Sequence, residues 1–212
     1  MQTLLDGPSR DRVSGSGFLF ADRRNFRSLG LAVSSKNIVY FDLETQKSFQ
    51  QVGGHAHADK LRVSLAVTYS TITSAYQIYL EQDVDELIKE LSRADLIVGY
   101  NVLDFDYRVL APYTILDLTQ WPTLDIMKEV ERAIGRRIGL DAIAEATLGF
   151  GKIADGRKAL EWFKEGKWLD IAHYCCIDVK VTRLIHEYGH QHGHLHYQDR
   201  ATGKILSFSV NW

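Results

Sequence analysis

Apolar and polar positions first fall into a clear alternation along Asn37-Ile38-Val39-Tyr40-Phe41-Asp42-Leu43-Glu44-Thr45. The run is rich in β-formers and predicts a strand. Side chains alternate faces along a strand. Val39, Phe41 and Leu43 therefore form a core face, and Tyr40, Asp42 and Glu44 share the other. Residues 46–60 are polar and include Gly53-Gly54, which predicts a loop. Residues 61–69 alternate strictly and 75–80 are again β-rich, which predicts a second and a third strand. Strands this close in sequence are expected to pair antiparallel.

The period then changes. Val84, Leu87, Ile88 and Leu91 lie on one helical stripe behind Asp83, with Glu86 in the capping-box position. Residues 95–100 form a short apolar strand after that helix. A strand–helix–strand crossover makes it parallel to an earlier strand. Further helices are predicted from 105 to 110, where Pro112 sets the limit, and over 126–134, 140–148, 157–164 and 168–188. The last is the longest. The tail predicts a hairpin turning at Thr202-Gly203. The pattern as a whole is α/β: a central mixed β-sheet, its first three strands antiparallel and the rest parallel, flanked by α-helices.

Composition changes this little. At 212 residues, 45% hydrophobic and 25% charged, the chain is an ordinary globular sequence. A net charge of −2 gives no overall basic signature of a nucleic-acid binder, although local basic patches can coexist with an acidic centre. The two cysteines, Cys175 and Cys176, are adjacent, which excludes a disulfide framework and fits a reducing cytosol. The first residues lack a signal-peptide pattern, and no apolar run is long enough to span a membrane, so a cytoplasmic protein with no membrane partner is expected. Residues 1–35, with two turn-forming stretches and the basic Arg23-Arg24-Asn25-Phe26-Arg27, read as an N-terminal extension. Residues 36–190 read as the main domain and 191–212 as a β-hairpin tail.

Candidate chemistry begins at Asp42 and Glu44. Two adjacent carboxylates repel and are costly to desolvate. A hard divalent cation would relieve both costs. An edge strand with two solvated acids is the plainer reading of this pair alone. In Asn101-Val102-Leu103-Asp104-Phe105-Asp106, at a strand end, Asp104 and Asp106 are each either a helix N-terminal acid or a ligand. Tyr174 and Asp178 are four residues apart on the long helix and share a face. His186, His190, His192, His194 and His196 crowd one stretch, but a zinc reading finds no cysteine there and no matching motif.

Taken in order, Asp-x-Glu, Asn-x-x-x-Phe-Asp and Tyr-x-x-x-Asp resemble the three motifs of the DEDD superfamily of 3′→5′ exonucleases, which have the RNase H-like fold. The tyrosine marks the DEDDy branch. The motifs are also similar to those of B-family DNA polymerase proofreading domains. Leu140-Asp141-Ala142-Ile143-Ala144-Glu145-Ala146-Thr147-Leu148-Gly149, a loop with Lys152, and Ala159-Leu160-Glu161-Trp162-Phe163-Lys164-Glu165-Gly166 resemble the YprB-like bacterial exonuclease domains more closely still. The resemblance runs over residues 37–190. It implies Asp42, Glu44, Asp106 and Asp178 as ligands of two divalent cations, Mg²⁺ or Mn²⁺, with Tyr174 orienting the attacking water. Asp106 is preferred over Asp104 because it follows Phe105. Leu43, Thr45, Asn101 and Phe105 would line the pocket for the end of a single-stranded DNA or RNA, and Lys152 would meet a phosphate, with Arg157 and Lys158 as further candidates. The alternative is a non-catalytic RNase H-like module that binds nucleic acid or a partner such as a helicase or polymerase. No residue separates DNA from RNA, since none is identified that reads the 2′-hydroxyl.

Overall fold

The computed structural model describes residues 36–149 and 157–212. The expected N-terminal extension with its arginines, and Lys152 in its loop, lie outside the described residues. The first predicted strand is β1, Ile38–Thr45, and it becomes the centre of a five-stranded sheet of order β3-β2-β1-β4-β5. β2 (Val63–Ser70) pairs antiparallel with β1, and β3 (Ala75–Leu80) antiparallel with β2. β4 (Leu96–Gly99) pairs parallel with β1, and β5 (Thr123–Asp125) parallel with β4. The mixed α/β sheet expected from the pattern is therefore present.

Because β1 is central, both of its faces are covered. Val39, Phe41 and Leu43 are buried with Val84, Leu87 and Leu91 of α2 (Val84–Ser92) and Val109 and Leu110 of α3 (Asp106–Leu110). Tyr40 is buried on the other side with residues of α4 (Ile126–Ile134), α5 (Leu140–Leu148) and α7 (Trp168–His192). Burying each large side chain contributes roughly 1.5–3 kcal/mol. A one-residue slip of β1 would exchange the two faces and drive Asp42 and Glu44 into the α2–α3 core. The same burial that folds the sheet thus fixes where the acids point.

Four expectations are corrected. The stretch 46–60 is not a plain loop: it holds α1 (Phe49–Val52) and a 3₁₀ turn over His55–Lys60. Ser48 and Gln51 form a reciprocal capping box that starts α1, with Ser48 N–H donating to Gln51 Oε1 at 2.8 Å. Asp83 does not cap α2 through its side chain. Its Oδ2 accepts instead from Leu80 N–H at 3.1 Å, closing a 3₁₀ turn over Glu81–Asp83, and Glu86 pairs with Lys89 at 2.6 Å. Thr123–Asp125, which carried no strand assignment, is β5. α7 also runs a turn past its expected end. Gly189 lets it continue beneath Trp212, where an added Cβ would meet the indole at 2.5 Å. β6 (His194–Gln198) and β7 (Ile205–Ser209) then form an antiparallel hairpin, and β6 packs on α5 and α7. α6 (Arg157–Lys164) lies against α7 and β1. Among the described residues no helix is long and apolar enough to cross a membrane.

Candidate active site

β1 presents Asp42 and Glu44 on one face near its C-terminal end, and α7 brings Asp178 to them. One carboxylate oxygen from each of the three lies within 4.8 Å of the others, and each side chain is partly exposed. Tyr174, one turn before Asp178, donates its hydroxyl to the Asp178 carboxylate. The Cys175 thiol, on the buried side of the helix, donates to Asp42, with Sγ 3.4 Å from both Oδ2 and the main-chain oxygen.

Asp106 occupies the first turn of α3 and is buried. Leu43 N–H donates to its Oδ1 at 3.1 Å, so the strand carrying Asp42 and Glu44 also holds Asp106. Its carboxylate is not one of the three that crowd together, but its charge reaches both Asp42 and Glu44. Asp104 has gone elsewhere, into ion pairs with Lys128 at 2.6 Å and with Arg137.

Electrostatics follow from this crowding. Burial, then the charges of Asp106, Asp178 and Glu44, push the Asp42 carboxyl well above the usual carboxylate range. Burial, then Asp178 and Asp106, do the same to Glu44. Burial pushes Asp106 up to about 8 and Asp178 to about 6, the latter opposed by the Tyr174 hydrogen bond. Burial and the neighbouring carboxylates raise the Tyr174 phenol too, so it keeps its proton and acts as a donor rather than a base. Among the described residues no lysine or arginine forms an ion pair with Asp42, Glu44 or Asp178. Oxygen donors only, all of them ionisable and none in an ion pair among the described residues, make a set that fits a hard divalent cation.

Leu43, Thr45 and Phe105 line one cleft with the acids and Tyr174, of about 510 Å³. Thr45 Oγ1 donates to Lys47 O at 2.9 Å. Phe49 and Leu160 complete the apolar wall. The sequence reading passed over both, although the Ser48–Gln51 capping box marks the helix that carries Phe49. Asn101 is not brought to this cleft. Its backbone has φ of +71°, its Oδ1 is buried without a hydrogen-bond partner among the described residues, and it lines a smaller neighbouring cleft. Lys158 is exposed, and the side chain of Arg157 lies outside the described ones.

The histidines form packing contacts. His186 Nδ1 is hydrogen-bonded to Tyr40 Oη at 2.8 Å, His190 Nδ1 lies 2.9 Å from Trp212 O, and His196 Nε2 lies 3.3 Å from Tyr188 Oη. Among the described residues the one cluster able to hold a metal is the acidic one. A further residue was missed. The buried Asp125 carboxylate accepts from Asn101 N–H at 2.8 Å, Leu103 N–H at 3.1 Å and Met127 N–H at 3.0 Å. It caps α4 and at the same time fastens the segment leading into Asp106. An aspartate just before a helical stripe was the signal that could have revealed it.

A family model described as the RNase_H superfamily matches residues 39–188, a span that contains every acid of the cluster and Tyr174. The chain belongs to this superfamily. Among solved structures, the crystal structure of Trypanosoma brucei RNase D is similar, with a TM-score of 0.50 at 16% identity, and the match covers 72% of this chain. It covers 57% of the RNase D chain, so this RNase H superfamily member spans little more than half of that protein's length. No curated protein matches the sequence. The superfamily span runs from β1 into α7, the two elements on which the clustered acids sit.

Proposed function

We propose that this chain is a metal-dependent 3′→5′ exonuclease of the DEDDy type, nearest to the YprB-like domains, which hydrolyses phosphodiester bonds at the 3′ end of single-stranded nucleic acid. The observation that carries the reading is the cluster of Asp42, Glu44 and Asp178 within 4.8 Å, with the Tyr174 hydroxyl on Asp178. Membership of the RNase H superfamily and a likeness to a protein named as a ribonuclease point the same way.

In this reading Asp42, Glu44, Asp106 and Asp178 hold two divalent cations, Mg²⁺ or Mn²⁺. When bound, such a pair makes water easier to deprotonate and stabilises the leaving oxygen in an in-line displacement. Tyr174 aims the attacking water and retains its own proton. Leu43 and Phe105 flank the terminal base, Thr45 lies beside its sugar, and Lys152 meets a phosphate. Removing Asp178 takes away a ligand and the acceptor that orients Tyr174. The test is release of mononucleotides from a 3′-labelled single strand in Mg²⁺ and in Mn²⁺. The wild type is expected to release them and Asp178→Asn to lose at least about 100-fold in rate. A wild type as inactive as Asp178→Asn under both metals would leave only a non-catalytic module.

A further inference from the structure

Phe49 and Phe105 are shared by two clefts. One is the acidic cleft of about 510 Å³, and the other has a volume of about 380 Å³. The two rings meet edge to face, 5.8 Å between centroids, and stand as a wall between the clefts. The smaller cleft is completed by His55, Asn101, Arg108 and Arg137, with Asp104. Its character is opposite to that of its neighbour. Arg137 and Lys128 are both paired with Asp104 and with Glu131, which leaves Arg108 as the cleft's cation without an ion pair among the described residues. Arg108 is exposed, and its one hydrogen bond among the described residues runs from Nη2 to Ala56 O at 2.9 Å. Most of its five N–H donors therefore remain for a ligand. His55 lies over Phe49, with ring centroids 3.9 Å apart and planes inclined by 37°. His55, Phe49 and Phe105 thus form a ladder of rings that leads from the smaller cleft to the acidic one. Asn101, whose Oδ1 is buried without a hydrogen-bond partner among the described residues, closes the floor of this cleft.

We propose that this second cleft is a binding subsite for the nucleotide adjoining the one in the acidic cleft. The inference rests on the reading that the acidic cleft takes a nucleic-acid 3′ end. Stacking surfaces beside forked cations are what recognises an unpaired strand. The volume lies within the range of small-molecule pockets and suits one nucleotide. A strand with its terminal phosphodiester at Asp42, Glu44 and Asp178 would cross the Phe49–Phe105 wall. Its next base would stack on His55, and its phosphate would meet Arg108.

The experiment measures binding apart from turnover. Fluorescence anisotropy of a 5′-fluorescein ten-mer of thymidylate is followed against the full-length chain over a salt series, with Ca²⁺ replacing Mg²⁺. Thymidine monophosphate serves as a competitor that fills the acidic cleft alone. Arg108→Ala is expected to weaken the ten-mer about tenfold and to lower the salt slope by about one, while Arg108→Lys keeps the slope. His55→Ala is expected to weaken the ten-mer about fivefold or more through lost stacking. The competitor's affinity should stay at the wild-type value in all three variants. Unchanged ten-mer affinity in both alanine variants overturns the subsite, as does an equal loss for ten-mer and monophosphate, which would mean that the acidic cleft itself had collapsed. A wild type that binds no ten-mer overturns both readings. If the ten-mer binds and the variants weaken it, yet Mg²⁺ and Mn²⁺ give no cleavage, the subsite stands and the exonuclease reading falls. Cleavage by wild type with unaltered variants gives the reverse.

Discussion

Asp42 loses hydration to burial and faces Asp106, Asp178 and Glu44, and the Cys175 thiol is what offsets this. Such a side chain weakens the metal-free fold. Asp42→Ala is therefore expected to abolish cleavage while leaving the melting temperature in EDTA unchanged or higher, because one repelling charge is gone. Thermal unfolding of the two proteins in EDTA checks this, and a clear drop in the variant contradicts it. The acids were legible in the sequence because local periodicity encodes them. A spacing of two on a strand puts Asp42 and Glu44 on one face, and a spacing of four on a helix does the same for Tyr174 and Asp178. Phe49 and Leu160 were not legible as cleft residues, since each gains its place from packing between distant segments that no local period records. Asp125 was legible only as an acid before a helical stripe, and its hold on Asn101 and Leu103 comes from the tertiary fold. Asn101 sits inside a recognisable motif, yet its left-handed backbone carries it into the neighbouring cleft.

Among the elements, the connection from β4 to α3 has the hardest task. It must end a parallel strand, turn, and deliver Asp106 to the edge of β1. The turn is tight: a Cβ on Gly99 would meet Val102 Cγ1 at 2.1 Å and Phe41 O at 3.0 Å. Asp125, from the end of β5, holds the segment by accepting the Asn101 and Leu103 N–H groups. In Asp125→Asn the remaining oxygen can keep Asn101 and Met127, but an amide NH₂ then faces the Leu103 N–H. Leaving a buried donor unpaired costs about 1–3 kcal/mol. The variant should melt lower by about 2–4 °C per kcal/mol lost. A loosened Asp106 should also lower kcat more than it raises KM, a split that general destabilisation would not produce. Calorimetry and steady-state kinetics on one preparation decide this, and unchanged kcat removes Asp125 from any positioning role. Element length also explains which parts of the fold could be read. α2, α4 and α7 span several turns and show their stripes. β5 has three residues and α1 four, too few for either period to be seen, so their existence depends on β4 and on the capping box. At Asp83 a local competitor won, the turn to Leu80 over the helix cap.

For the whole molecule, the crowded acids tie stability to pH and to cations. An unfolded aspartate titrates near 4. In the folded, metal-free protein Asp106 is held at about 8 and Asp178 at about 6, so the fold binds more protons than the unfolded chain between these values. Stability from these groups therefore falls as pH rises from about 4 to about 8, and levels off above the Asp106 value. His186 works in the opposite direction. Burial, aided by His190, holds it at about 4, so it stays neutral in the fold while an unfolded histidine titrates near 6.5. Its contribution raises stability as pH climbs from about 4 to 6.5 and is constant above that. The interval from about 6.5 to 8 thus isolates the acids. There the melting temperature in EDTA should decline with pH. Mg²⁺ or Mn²⁺, binding the ionised acids of the fold and not the dispersed acids of the unfolded chain, should raise it, with an increment that grows with pH because fewer protons need displacing. A melting temperature that is flat across this interval in EDTA and indifferent to either cation would show that the carboxylates do not share a metal-binding charge. Because Asp106 is held at about 8 and Asp178 at about 6, Asp106→Asn should flatten the EDTA slope between 6.5 and 8 more than Asp178→Asn does. That ordering links the pH response to the buried acid that the Leu43 N–H holds beside the cluster.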